Sequence, residues 1–117
     1  MFNANYLAYN DVAAIELWRA SIGGYDELPE VHGVDVLIGE INIRYLAPLR
    51  FDDEMEIEIG VRELGNTSMK LGARIWRGSE QTTEISTRSV FIEPGGNSKT
   101  AIPDAVREQL KGFSIDW

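Results

Sequence analysis

The segment that most restricts how this chain can fold spans residues 3–20 and reads as one long helix. Its apolar side chains are too many, and too evenly spread, to lie on a single stripe of period 3.6. They are Tyr6, Leu7, Tyr9, Val12, Ala13, Ile15, Leu17 and Trp18. Because a helix that is apolar on nearly every side is buried rather than half solvated, the sequence predicts a central helix that the rest of the chain surrounds.

The few polar side chains of this helix are informative. Asn3 or Asn5 is expected to cap the N-terminus, because a short polar side chain can accept hydrogen bonds from the free N–H groups of the first turn. Glu16 and Arg19 are three residues apart and can pair at a solvent-facing edge. Asp11 has only apolar residues three and four positions away, so we expect a buried carboxylate whose partner lies outside the helix.

Composition and charge limit the possible sites and partners. At 117 residues we expect a single domain over residues 1–117. The chain has no cysteine and one histidine, His32, which argues against disulfides and against thiolate or histidine metal sites. The net charge of −8 argues against a nucleic-acid partner. No apolar run reaches membrane-spanning length and no signal-peptide pattern is present, so the expectation is a cytoplasmic protein without a membrane partner.

The rest of the chain is predicted to form a loop, four strands and a short closing helix. The first helix ends at Gly23, and residues 25–33 read as a loop. Residues 34–49 read as a long strand whose apolar phase changes beside Gly39, which indicates a β-bulge. Three further segments alternate as strands and one reads as a helix: residues 54–62, 69–76, 81–93 and 103–111.

This order of elements predicts an α+β fold in which a curled antiparallel sheet wraps around the long helix. Residues 65–66 are expected to form a hairpin turn with positive φ, and the acidic row within residues 54–58 is expected to face Lys70 and Arg74 across it. One small sheet cannot cover a helix that is apolar all round. A second copy of the chain is the economical cover, so we predict a homodimer, with a homotetramer as the larger alternative.

The order and spacing of several segments resemble the hotdog-fold acyl-CoA thioesterases, and within them the 4-hydroxybenzoyl-CoA thioesterase-like branch. The matching segments are residues 2–7, residues 9–13, residues 45–54 (YLAPLRFDDE), residues 62–68 (RELGNTS) and residues 102–103. The resemblance covers nearly the whole chain. It implies a hotdog fold and hydrolysis of an acyl-CoA thioester to the free acid and CoA, without a metal or redox cofactor.

The resemblance has one large departure. In this branch an Asp-x-Asp-x-x-Gly loop precedes the helix, and its second Asp is the usual catalytic acid. Counted back from Asn5, that acid would fall before Met1, and the first strand of the family's sheet would be absent with it. Other hotdog thioesterases, of the phenylacetyl-CoA type, carry an acid within the early turns of the same helix. Asp11 resembles that residue.

The resemblance implies roles for particular residues. Backbone N–H groups at the start of the helix would bind the oxyanion, and the turn after the second strand would hold the CoA nucleotide. The candidates are Asp11, Asn3 and Asn5 for catalysis, and Tyr6, Arg62, Asn66, Thr67 and Ser68 for substrate binding. Each has a plainer interpretation as well: the asparagines cap the helix, the acid is a buried structural group, and the turn is an ordinary hairpin.

Two other functions remain open. A hotdog dehydratase or hydratase would need a histidine paired with an acid, and His32 is badly placed to supply it. A non-catalytic acyl-CoA-binding or structural hotdog protein is favoured by the missing upstream acid.

Overall fold

The computed structural model describes residues 3–48, 54–96 and 98–117, with side chains from Tyr9 onward in the first helix. Its elements are α1 (Asn3–Ile22), α2 (Glu27–Val31), β1 (Asp35–Tyr45), β2 (Glu56–Leu64), β3 (Ser68–Arg77), β4 (Glu80–Ile92) and α3 (Asp104–Lys111). Both predicted helices and all four predicted strands are confirmed, with shifts of a few residues at their ends. The closing helix begins one residue later than predicted, because Pro103 has an extended ψ of 142° and precedes the first turn.

The prediction of an unbroken loop over residues 25–33 was wrong, because α2 lies within it. Pro29 is compatible with this helix because proline is tolerated in the first turn, where the backbone N–H groups have no acceptor within the helix. Glu27 and Glu30 add negative charge near the helix N-terminus, and Leu28 is fully buried. Burial of Leu28 therefore holds this short helix against the core.

The sheet is antiparallel throughout, with the strand order β1-β4-β3-β2. The predicted α+β architecture is therefore confirmed. The predicted bulge is also confirmed, because the register of β1 against β4 shifts between Ile38 and Glu40. The shift puts Ile38 and Ile41 on the same face of the sheet, opposite Ser89 and Thr87 of β4. We call this face, toward α1, the inner face, and the opposite one the outer face.

The β2–β3 hairpin differs in detail from the expected pairing. Arg74 lies opposite Glu58 and forms an ion pair with it at 3.0 Å, as expected. Lys70 instead lies opposite Glu63, at 3.6 Å, because the register shift between Val61 and Glu63 places Glu63 there in place of Arg62. The predicted positive φ at residues 65–66 was wrong, since neither residue is among those of the described chain with positive φ. Glycine is instead favoured at position 65 by close approach, because a Cβ there would lie 3.1 Å from the Ser68 carbonyl oxygen.

The helix α1 covers only part of the inner face. It approaches β2 and α3 most closely, and Leu17 and Trp18 join the main core. Val12 and Ile15 are 60% and 48% exposed on the side of α1 that this packing leaves open. The prediction that α1 is buried on nearly every side is therefore wrong for a single chain, and so is the predicted burial of Asp11, which is exposed.

The segment after α3 packs against the edge of β2 and over the outer face. Backbone hydrogen bonds join Val61 N to Phe113 O at 2.8 Å and Ile115 N to Val61 O at 2.9 Å. Ile115 then lies over Gly60, which pairs with Gly72 in the adjacent strand. A Cβ at Gly60 would lie 2.3 Å from Ile115 Cγ2 and 2.8 Å from the Phe113 carbonyl oxygen. This pair of glycines therefore makes room for the closing segment.

We expect Gly60→Ala to lower the free energy of unfolding by about 1–3 kcal/mol, because the added methyl group must displace Ile115 and the Phe113 carbonyl. Urea denaturation measures the change. Gly39→Ala is the matched control in the same sheet, since a Cβ there meets its nearest neighbours at an ordinary 3.5 Å. Adding Ile115→Ala to Gly60→Ala should restore part of the loss. Equal effects of the two glycine replacements would contradict the packing of residues 113–115.

Candidate active site

A groove of about 640 Å³ opens where α1 leaves the inner face uncovered. One wall is α1 and the loop that follows it, and the floor is formed by β1, β3 and β4. Its lining is mainly apolar, with Ala14, Ile15, Trp18, Val36, Ile38 and Leu71 contributing. An apolar cleft with a few convergent polar groups is the usual form of a small-molecule site.

Asp11 lines this groove and is its carboxylate on α1. It is exposed in the single chain and forms no hydrogen bond or ion pair with another residue in the part of the chain that the structure describes. Its neighbour Asn10 is buried, and its Nδ2 donates a long hydrogen bond of 3.4 Å to Thr87 Oγ1 of β4. This contact ties α1 to the floor of the groove beside Asp11.

The far end of the groove is aromatic. The ring centroids of Trp18 and Tyr25 lie 6.2 Å apart, and those of Trp18 and Phe91 lie 6.4 Å apart, both in edge-to-face geometry. The Tyr25 hydroxyl donates to the Val36 carbonyl oxygen at 3.1 Å. Burial raises the pKa of Tyr25, and the negative charge of Asp35 raises it further, so Tyr25 is a neutral wall residue near pH 7.

Sequence reasoning missed the three buried polar residues of the groove, namely Asn10, Thr87 and Ser89. A signal was available in β4, where inward-facing positions alternate with outward-facing ones. Thr87 and Ser89 occupy inward positions between Ile85 and Phe91, which an all-apolar core would have filled with hydrocarbon. Asn10 had no comparable signal, because its burial depends on how α1 meets β4.

The predicted CoA turn lies outside the groove lining and is held by backbone hydrogen bonds. The carbonyl oxygens of Asn66 and Thr67 accept from Ile102 N at 2.9 Å and Phe91 N at 2.8 Å, and Ser68 O accepts from Gly65 N at 2.8 Å. The turn itself has no basic side chain. Arg107 of α3 supplies a guanidinium there, donating to Gly65 O at 2.8 Å, a placement that only the packing of α3 creates.

Arg62 lies on the outer face, away from the groove. Its guanidinium donates to Trp117 O at 2.8 Å and to Ser86 Oγ at 2.6 Å, and it pairs with Glu84 at 3.2 Å. Its position explains why Gly72 lacks a side chain, since a Cβ there would lie 2.6 Å from Arg62 Nε. The structure thus gives Arg62 a structural role, while a CoA contact at Arg62 stays a prediction.

The remaining candidates lie at the start of α1. The helix begins at Asn3, so its first N–H groups lack acceptors within the helix. The side chains of Asn3, Asn5 and Tyr6 lie outside the described part. Asp11 follows Asn3 by eight residues, which is about 12 Å along the axis at about 1.5 Å per residue. One thioester cannot touch both Asp11 and the N-terminal N–H groups of the same helix.

His32 ends α2 and lines a separate hollow of about 250 Å³ beside α3, so it does not form a pair with Asp11. Among the described residues, no three His, Asp or Glu side chains group in a way that could hold a metal ion. None of the helices in the described ranges is long and apolar enough to cross a membrane.

Solved structures share this fold. A thioesterase from Thermus thermophilus, complexed with coenzyme A and Zn, is 24% identical, with a TM-score of 0.81 over 97% of this chain and 80% of that one. The BH1999 gentisyl-coenzyme A thioesterase is 22% identical, with a TM-score of 0.79 over 95% of this chain and 85% of that one. A thioesterase superfamily protein from Jannaschia sp. CCS1 is 13% identical, with a TM-score of 0.86 over 98% of this chain and 81% of that one. At such identities the likeness shows the fold, and the predicted hotdog arrangement is confirmed.

Two further comparisons used the sequence rather than the structure. No curated protein matches the chain. The sequence profile of the thioesterase superfamily matches residues 1–84, well over half of the chain. This protein therefore belongs to the thioesterase superfamily.

Proposed function

We propose that the protein is an acyl-CoA thioesterase that hydrolyses its substrate to a free acid and CoA, with Asp11 as the catalytic carboxylate. The observation that carries the proposal is the position of Asp11, which lies on α1 at the wall of a largely apolar groove. Membership of the thioesterase superfamily supports thioester hydrolysis in general, and coenzyme A bound to the Thermus thermophilus relative supports CoA as the carrier.

In the proposed reaction Asp11 takes a proton from a water molecule, which attacks the thioester carbonyl carbon. The carbonyl oxygen becomes an oxyanion that N–H groups at the start of a helix stabilise, helped by the positive end of the helix dipole. The C–S bond then breaks, and Asp11 returns the proton to the departing sulfur, which leaves as the thiol of CoA. No metal or redox cofactor takes part in this scheme.

The oxyanion donors are assigned to the partner subunit of a homodimer. Asn3 and Asn5 are about 12 Å and 9 Å from Asp11 along α1, so the same helix cannot supply both functions to one thioester. In a two-fold dimer, contact of Asp11 with the start of the other helix implies the reverse contact as well, which creates two equivalent sites. Tyr6, near the start of the same helix, would then contact substrate bound to the partner's Asp11.

The exposed apolar surface supports such a dimer. On α1 it includes Val12 and Ile15, and on β1, an edge strand, it includes Ile38, Ile41 and Tyr45. Ile15 and Ile38 line the same groove, so the two sets of exposed side chains adjoin there, and adjoining exposed apolar surface supports an interaction site. A tetramer would be a pair of such dimers.

The CoA nucleotide is assigned to the turn at Asn66, Thr67 and Ser68, where Arg107 provides positive charge. The chain is acidic overall, so this local guanidinium would have to attract the phosphates against the net charge of −8. Arg62 would contribute to this site only by exchanging its present partners.

A non-catalytic acyl-CoA-binding protein is the alternative. It is favoured by the lack of any hydrogen bond to Asp11 among the described residues, because catalytic carboxylates are usually oriented by neighbours. In a homodimer the partner could supply that orientation.

We expect Asp11→Asn to lower kcat for free-thiol release from acyl-CoA by about 10²–10⁴-fold, because the amide cannot accept the proton of water. Asp26→Asn is the matched control, since it removes the same charge from the same groove and should retain activity. Thermal unfolding of both variants should resemble the wild type, because Asp11 is exposed. Equal activity of wild type and Asp11→Asn would refute the assignment. Binding of a non-hydrolysable acyl-CoA without turnover by the wild type would establish the alternative.

Mixing two inactive variants tests whether each site uses two subunits. Asn5→Pro removes one N–H donor at a helix position that tolerates proline, while Asp11→Asn removes the acid. If the groups come from different subunits, a mixed dimer has one intact site and one doubly defective site, so mixing should restore thiol release. If both groups come from one subunit, every site carries a lesion and mixing restores nothing. Each variant, refolded alone, provides the baseline.

A further inference from the structure

The floor of the groove contains a hydroxyl group, that of Ser89, that has no hydrogen-bond partner among the described residues. Ser89 is 4% exposed and lines the groove from the inner face of β4. Its hydroxyl forms no hydrogen bond with another residue in the described part of the chain. Among the described side chains no polar atom is both fully sealed and unpaired, so this hydroxyl opens into the groove. A hydroxyl that opens into a mainly apolar groove without a protein partner is available to hydrogen-bond a bound molecule.

The other buried hydroxyl groups of the described chain are all paired, which makes Ser89 distinctive. Ser21 donates to the Trp18 carbonyl oxygen, Thr82 to the Ile75 carbonyl oxygen, and Thr82 and Thr83 contact each other. Thr87 accepts from Asn10, which leaves its own O–H free to donate into the groove. Among the buried hydroxyls of the described residues, only that of Ser89, on the floor of the groove, therefore lacks a protein partner.

The position of Ser89 relates it to the acyl group of a bound substrate. Thr87 lies across from Asn10, next to Asp11, and Ser89 is two residues farther along the same face, at about 7 Å. Phe91, next on this face, contacts Trp18 at the aromatic end. An acyl group that extends from a thioester at Asp11 toward Trp18 therefore passes over Ser89.

The surroundings favour a neutral oxygen over a charged group. Ile38 and Leu71 line the groove together with Ser89, and they offer no charge. Arg19 also lines the groove, but its side chain is 63% exposed and pairs with Glu16, so it faces solvent rather than the floor. A carboxylate on the acyl group would lose water without gaining a free cation. A hydroxyl or carbonyl oxygen can instead exchange its water for the two hydroxyls of the floor.

We propose that Ser89, assisted by Thr87, is a specificity residue that binds an oxygen atom in the body of the acyl group. The substrate class is then an acyl-CoA with an uncharged hydroxyl or keto oxygen beyond the thioester, rather than one with a plain hydrocarbon chain. The inference rests on the proposed function, because it takes the groove as the acyl site and Asp11 as the acid.

The test compares pairs of substrates that differ by one oxygen: hexanoyl-CoA with 6-hydroxyhexanoyl-CoA, and benzoyl-CoA with 4-hydroxybenzoyl-CoA. The wild type should prefer the hydroxylated member of at least one pair by about tenfold or more in kcat/KM. Ser89→Ala and Ser89→Cys should bring that ratio close to one by slowing the hydroxylated substrate alone. Ser89→Thr, which keeps the hydroxyl, should preserve the preference, and so should Ser79→Ala in the exposed β3–β4 turn.

The two proposals fail in different ways. Thiol release at equal rates from both members of each pair, or an unchanged ratio in Ser89→Ala, would overturn the role of Ser89 and leave the thioesterase assignment intact. If the wild type releases no thiol, the thioesterase assignment fails. Calorimetric titration with thioether analogues of the same pairs then decides on Ser89. Tighter binding of the hydroxylated analogue, lost in Ser89→Ala, would support its role, and equal or absent binding would overturn it.

Discussion

The helix α1 has more apolar surface than the sheet of this chain can cover, and most features of the molecule follow from that mismatch. Leu17 and Trp18 are buried against the sheet and α3, while Val12 and Ile15 on another side of the same helix stay exposed. Because α1 lies closest to β2, the inner face along β1 is left open. The groove forms in that space, and a homodimer would cover the remaining apolar surface.

The groove combines an apolar wall with a polar floor, and the two have different origins. The wall follows from the helix, whose Asp11, Ala14, Ile15 and Trp18 recur at helical spacing along one side. The floor follows from β4, whose inward positions include hydroxyl residues. Where these two surfaces meet, Asn10 of the helix donates a hydrogen bond to Thr87 of the strand. Catalysis and specificity would therefore use different elements of the same groove.

Residues 113–117 cover the part of the outer face formed by β2 and β3. The guanidinium carbon of Arg74 lies 3.8 Å from the ring centroid of Trp117. The Trp117 carbonyl oxygen accepts a hydrogen bond from Arg62. Ile115 occupies the space above Gly60. These contacts account for the position of Arg62, whose sequence neighbourhood resembles a CoA-binding turn although its side chain points to the opposite side of the sheet from the groove. A match in sequence around a strand end does not determine which face a side chain takes, because a bulge can redirect it.

The helices and strands follow from local features of the sequence, because hydrophobic periodicity and the positions of glycine and proline act over short distances along the chain. The long helix, the bulge at Gly39 and the antiparallel order of the last three strands were all predictable in this way. Asp11 could be singled out from its neighbours, but its exposure could not be. The burial of Asp11 depends on which half of the sheet α1 covers. That is set by packing against β2 and α3, which are far from α1 in the sequence. For the same reason only the tertiary structure placed Arg107 at the turn, Arg62 on the outer face, and the unpaired hydroxyl of Ser89 in the groove.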